Sequence, residues 1–130
     1  MPAARHVAVW IDHKEAKIFA LTRDSAGEWK LHPSDPPKHL HHKAGLGDAG
    51  KAPPDEHYFH GVADAVKDAA EILIMGPSTA KTELKAHLER HDPQVAKKVV
   101  GVETVDHPTD NQLVAFARKF FKAADRLRPA

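Results

Sequence analysis

Three groups of residues in this 130-residue chain have the types and spacing for chemistry. The first is histidine. Of eleven in the chain, six (His32, His39, His41, His42, His57 and His60) fall between Leu31 and Gly61. Imidazoles titrate near neutral pH, ligate transition metals when neutral and meet phosphate when protonated. His57 and His60 stand about one helical turn apart, and with His41 and His42 they make a candidate set for Zn²⁺ or Ni²⁺. Their spacing matches no metal-site signature, so solvated histidine is the plainer reading. The second group is carboxylate: Asp12, Asp106 and Asp110. Two-metal hydrolysis needs several carboxylates converging on hard cations. The run Ile74-Met-Gly-Pro77 supplies none, which leaves Asp12 as a turn residue or as one member of an incomplete set. The third group is Gly76-Pro-Ser-Thr-Ala-Lys81-Thr82, a junction between a strand and a helix. Free N–H groups at a helix start attract anions, and Ser78 and Lys81 would add contacts. The Gly-Lys-[Ser/Thr] ending of a P-loop is absent. A capped helix start, with Gly76 or Ser78 as N-cap, accounts for the same residues.

The elements that must position these groups follow from periodicity. Val7-Ala-Val-Trp-Ile11 is β-branched and apolar throughout, the pattern of a strand buried on both faces. Lys17–Leu21 and a short run around Glu28–His32 follow across polar turns, so the first three strands form an antiparallel meander. Tyr58, Val62, Ala65, Val66 and Ala69 recur at helical spacing after Pro54-Asp55. Glu71–Met75 is a fourth, buried strand. A second helix is expected from about Ser78 to Glu89, a short helical turn after His91-Asp-Pro93, and a fifth strand over Val99–Val105. The last helix, about Asn111 to Leu127, carries Leu113, Val114, Ala117, Phe120 and Phe121 on one stripe. The order β-β-β-α-β-α-β-α predicts an α/β fold: one mixed five-stranded sheet with helices on its faces, the plan of the ribonuclease-H-like fold.

Between the meander and the first helix, about 33–54, no periodicity survives. Pro33, Pro36, Pro37, Gly45, Gly47 and Gly50 alternate there with His39, His41, His42 and Lys43. A stretch of this length in a compact domain is expected to be a flexible, functional loop. From Lys30 to His60 the fixed charges cancel: Lys30, Lys38, Lys43 and Lys51 oppose Asp35, Asp48, Asp55 and Glu56. Imidazole protonation therefore sets the charge of this region, and any affinity for RNA should strengthen as pH falls. A second basic patch lies in the last helix, where Arg118, Lys119, Lys122, Arg126 and Arg128 face only Asp125. It reads either as a solvated outer face or as an RNA-facing surface.

Composition sets the outer limits. The 19 Lys+Arg and 18 Asp+Glu leave a net charge of +1, which argues against a general polyanion binder and hence against DNA. There is no cysteine, so neither disulfides nor thiolate metal sites are available. A mean hydropathy of -0.50 fits a soluble protein. With no export signal and no apolar run near the roughly 20 residues a bilayer needs, the expected location is the cytoplasm, away from membranes. One domain spanning 1–130 is expected, and no motif asks for a cofactor.

The stretch Ile72-Leu-Ile-Met-Gly-Pro-Ser-Thr-Ala-Lys-Thr-Glu-Leu84 resembles the middle domain of the archaeal and eukaryotic class-1 peptide chain release factors and of Pelota. There a buried strand is likewise followed by a small-residue turn and then Lys-Thr-Glu-Leu, matched here by Lys81–Leu84. The remainder, including Val100-Gly-Val-Glu-Thr-Val-Asp-His-Pro-Thr-Asp110, is similar to small bacterial proteins often called translational machinery proteins. The resemblance implies the ribonuclease-H-like fold and a place in translation. In the release factors the segment before the first helix of this domain carries Gly-Gly-Gln, which promotes hydrolysis of peptidyl-tRNA. The matching segment here reads Ala44-Gly-Leu-Gly-Asp-Ala-Gly-Lys51, and the chain's two glutamines, Gln94 and Gln112, lie elsewhere.

Release activity is therefore not implied. What is implied is a non-catalytic, ribosome- or tRNA-associated accessory protein of translation, for stress, hibernation or rescue. Its expected RNA contacts are His39, His41, His42, Lys43 and Lys51, with Ser78, Lys81, Arg118 and Lys122. Two other readings stand beside it: a metal-dependent hydrolase using loop histidines or Asp12, and a protein-binding regulatory module.

Overall fold

The computed structural model describes residues 5–33 and 54–127. The expected loop at about 33–54 therefore lies almost wholly outside them, and with it His39, His41, His42, Lys43 and Lys51. In the described residues the strands are β1 (His6–Ile11), β2 (Ala16–Leu21), β3 (Ala26–Leu31), β4 (Glu71–Gly76) and β5 (Val99–Thr104). The helices are α1 (Pro54–Val66), α2 (Ala80–His91), the single turn α3 (Pro93–Ala96) and α4 (Asp110–Leu127). The sheet runs β3-β2-β1-β4-β5; the β1/β2 and β2/β3 pairs are antiparallel, and β1/β4 and β4/β5 are parallel. This is the mixed α/β plan that the element order predicts.

Alternation along the central strands explains why helices cover both faces. Val7, Val9 and Ile11 point with Ile18, Ile72 and Ile74 to one side, where Tyr58, Phe59, Val62, Leu84 and Leu88 of α1 and α2 cover them. Ala8 and Trp10 point with Phe19, Leu73 and Met75 to the other, against Leu113, Ala117 and Phe121 of α4. Each β1 residue from Val7 to Ile11 is thus buried, whichever face it serves.

Two glycines let layers approach. A Cβ on Gly76 would strike the Ile11 carbonyl oxygen, a backbone atom that cannot swing aside. A Cβ on Gly101 would run into the Phe120 ring of α4. Just before Gly101 the β4/β5 register slips, pairing Ile72 with Val99 but Leu73 with Gly101, and Val100 bulges to the surface.

Helix starts differ from expectation. Helix α2 begins at Ala80, and its N-cap is Thr79 rather than Gly76 or Ser78. Thr79 has helical backbone angles, and its hydroxyl donates to Glu83 (3.0 Å) instead of closing the cap. Gly76 is held in β4 by its pairing with Thr104, so the turn cannot begin before Pro77. Helix α4, by contrast, carries a reciprocal cap in Thr109-Asp-Asn-Gln112. The Gln112 N–H donates to Thr109 Oγ1 (3.1 Å), and the Thr109 N–H donates to Gln112 Oε1 (2.9 Å).

Candidate functional site

In α/β sheets, ligands gather beyond the carboxyl ends of the parallel strands, where loops and helix starts converge. Here that edge is built by Asp12-His13 after β1, Pro77-Ser78-Thr79 after β4 and Asp106-His107 after β5. The end of β3 and the start of α1 adjoin the same edge. Leu31, at the end of β3, pairs with Ala16, which pairs with Ile11. On the return side, Tyr58 in α1 donates its hydroxyl to the Asp12 carbonyl (2.8 Å).

Asp12 is committed to its own turn. One carboxylate oxygen accepts the N–H groups of Lys14 and Glu15, each at 2.8 Å, which fixes the β1–β2 corner. Its second oxygen lies 3.8 Å from His107 Nε2, while His107 Nδ1 sits 2.8 Å from Asp106. The Trp10 indole N–H donates to the Asp106 carbonyl (2.8 Å), and the His107 ring meets the Trp10 ring edge-on at 5.2 Å. His13 reaches Glu83 of α2 at 3.0 Å. That hydrogen bond, helped by the Thr79 hydroxyl, holds the Glu83 carboxyl below its ordinary value against the opposing pull of desolvation. Asp110 stands apart from Asp12. It is hydrogen-bonded to Lys17 (2.9 Å), which lowers its pKa and raises that of Lys17. Burial, and then a hydrogen bond to Asp110, push Glu28 up.

This edge is therefore a ring of acid–imidazole pairs and not a convergent carboxylate set. Asp12, Glu83 and Asp106 supply its acids, and His13 and His107 lie against them. Ser78 is exposed on it, and Lys81 donates to the Ser78 carbonyl (2.7 Å), which folds the ammonium back over the turn.

The remaining sequence-predicted residues are dispersed. On α4, Lys122 is exposed, whereas Arg118 donates to the carbonyls of Thr22 (2.7 Å) and Ser25 (2.9 Å) and so staples the helix to the β2–β3 turn. His57 is exposed on α1. His60 turns instead toward α2, where its ring lies 4.5 Å from that of His87 and 5.5 Å from that of His91. His87 and His91 went unremarked in the sequence; their signal is a four-residue spacing, which puts both on one helix face. His87 is buried to 1% exposure, and its Nε2 atom has no hydrogen-bond partner. Desolvation, followed by the neighbouring His60 and His91, pushes the His87 pKa down, so this ring is neutral at neutral pH.

No protein-family model matches the chain, and no curated protein does. Solved structures do. Pelota from Archaeoglobus fulgidus superimposes with a TM-score of 0.62 at 17% identity, over 88% of this chain and 30% of that one. The archaeal translation termination factor aRF1 gives 0.55 at 14% identity, over 93% of this chain and 39% of that one. Dom34 of S. cerevisiae, a translation termination-like factor involved in RNA quality control pathways and interacting with Hbs1, gives 0.52 at 12%, over 95% and 39%. The chain thus spans between 30% and 39% of the length of these proteins. At such identities the likeness is one of fold: the mixed sheet with helices on both faces that the resemblance implies.

Proposed function

We propose that this protein is a non-catalytic accessory factor of translation that associates with the ribosome or with tRNA in the cytoplasm, as a single domain related to the bacterial translational machinery proteins. The observation that carries the proposal is the extent of the structural likeness. Nearly the whole chain superimposes on Pelota, on a translation termination factor and on a translation termination-like factor involved in RNA quality control. Topology supports it too. The described chain stops just after β3 and resumes at α1, and both ends adjoin the carboxyl edge of the sheet. RNA would be met by His39, His41, His42, Lys43 and Lys51, together with Ser78 and Lys81. Lys122, and Arg118 through its remaining N–H donors, would form a separate electrostatic contact on α4.

The test is sedimentation with ribosomes from stationary-phase cells at low and moderate salt. Co-sedimentation that weakens with salt is expected. Recovery only in the free-protein fraction under both conditions would overturn the proposal.

A further inference from the structure

Two pairs with a four-residue spacing face each other across the α1/α2 contact: Glu56 with His60, and His87 with His91. Such spacing places both members of a pair on one helix face. The Glu56 carboxylate lies 3.8 Å from His60 Nε2 and 3.8 Å from His91 Nε2. The ligand atoms of Glu56, His87 and His91 all fall within 4.8 Å of one another, and those of His60, His87 and Asp92 form an overlapping trio. The His87 and His91 rings are 4.6 Å apart. Four-coordinate zinc with bonds of about 2.0–2.2 Å separates its ligand atoms by roughly 3.3–3.6 Å. Small side-chain rotations would close the difference, and Glu56, His60 and His91 have the solvent exposure to make them.

The geometry points to a transition-metal site, of the Zn²⁺ type, built on the trio Glu56, His87 and His91 and completed by rotation of His60 from the overlapping trio, tying α1 to α2. The unpartnered Nε2 of buried His87 supplies the independent reason. An orphaned polar atom in a folded interior costs free energy, and its neighbours here are three more potential ligands and the Phe59 ring. Three imidazoles and one carboxylate suit zinc, nickel or copper and not the hard cations Mg²⁺ and Ca²⁺. Glu56 stands in the first turn of α1, so an occupied site would fix the point where the chain re-enters the fold after the segment 34–53.

The test uses the full chain without a polyhistidine tag, with metal content measured after dialysis against zinc and affinity by competition with a chromophoric chelator. We expect one zinc per chain. At zinc 100-fold above Kd, melting should rise by about 10 °C, with no rise in Mg²⁺. Losing an outer-shell partner alone costs about 10–100-fold in metal affinity. His91→Ala and His87→Leu should therefore each weaken binding at least about 10-fold. A His39/His41/His42→Ala triple variant should bind as tightly as the parent. His91→Ala, at an exposed position, separates ligand loss from misfolding. Absence of stoichiometric zinc in the parent would overturn the proposal, as would loss of zinc in the triple variant with retention in His91→Ala and His87→Leu.

Discussion

Replacing His87 by leucine should make the metal-free protein more stable, although it removes a fully buried side chain. Burial of an unsatisfied polar atom costs about 1–3 kcal/mol, and His87 Nε2 is such an atom. Leucine is close in volume and has no polar group, and a volume-conserving change of this kind costs less than about 1.5 kcal/mol in packing. The difference spans about −0.5 to 3 kcal/mol and centres on a gain of about 1 kcal/mol. Unfolding entropy near 2.1 cal/mol/K per residue amounts to about 0.27 kcal/mol/K over this chain, so melting should rise by about 4 °C. The assay is thermal unfolding followed by circular dichroism at pH 7.5 in excess EDTA. His87→Asn, which keeps polar atoms in the same place, serves as the contrast and should melt below the parent. A fall of more than about 4 °C for His87→Leu would refute the reasoning, because it would mean that the imidazole makes a stabilising contact in the metal-free state. In zinc at 100-fold above the parent Kd, the parent should gain at least about 5 °C more than the leucine variant.

Other perturbations test other parts of the fold. Gly76→Ala forces a Cβ onto the Ile11 carbonyl; overpacking costs about 1–3 kcal/mol, and urea titration should show at least that loss because backbone must move. Arg118→Ala should lower stability by about 1 kcal/mol, given two charge-assisted bonds at an exposed position, whereas Lys122→Ala should leave urea unfolding unchanged and reduce the salt slope of RNA binding by about 1. Glu83 is held below its ordinary value near 4.5. Its contribution is therefore complete above that pH and is lost as pH falls through the lower folded value. The stability difference between the parent and Glu83→Gln should accordingly shrink from pH 6 to pH 3 in urea titrations.

Periodicity made the sheet legible. Val7–Ile11 and Glu71–Met75 lack polar interruption because both faces are covered, and α4 shows its stripe because one face meets solvent. Asp12 was legible as well, since Asp-His-Lys-Glu is a local turn whose carboxylate finds its partners two and three residues on. What stayed hidden is what tertiary structure decides. Arg118 reads as part of a basic patch until the β2–β3 turn is seen to present two carbonyls to it. His60 is brought to His87 and His91 by the crossing of two helices, and the spacing on α2 alone cannot say which residue of α1 completes the group. The α2 cap falls at Thr79 although the local pattern favours Ser78, because the β4/β5 pairing fixes where the strand ends.

The parallel pairing of β1 with β4 also bears on how the chain is made. His6 and Glu71 meet across 65 residues of sequence. At about 5–20 residues per second, roughly 3–13 s separate the synthesis of the two strands. During that interval β1 can pair with β2 on one side only, and its other edge, carrying Val7–Ile11, has no native partner. An unpaired apolar edge invites association with other nascent chains. Protecting β1 until residue 76 has been made is therefore a demand this topology places on the cell, and slowing translation between the two strands should increase aggregation more than slowing it after β4.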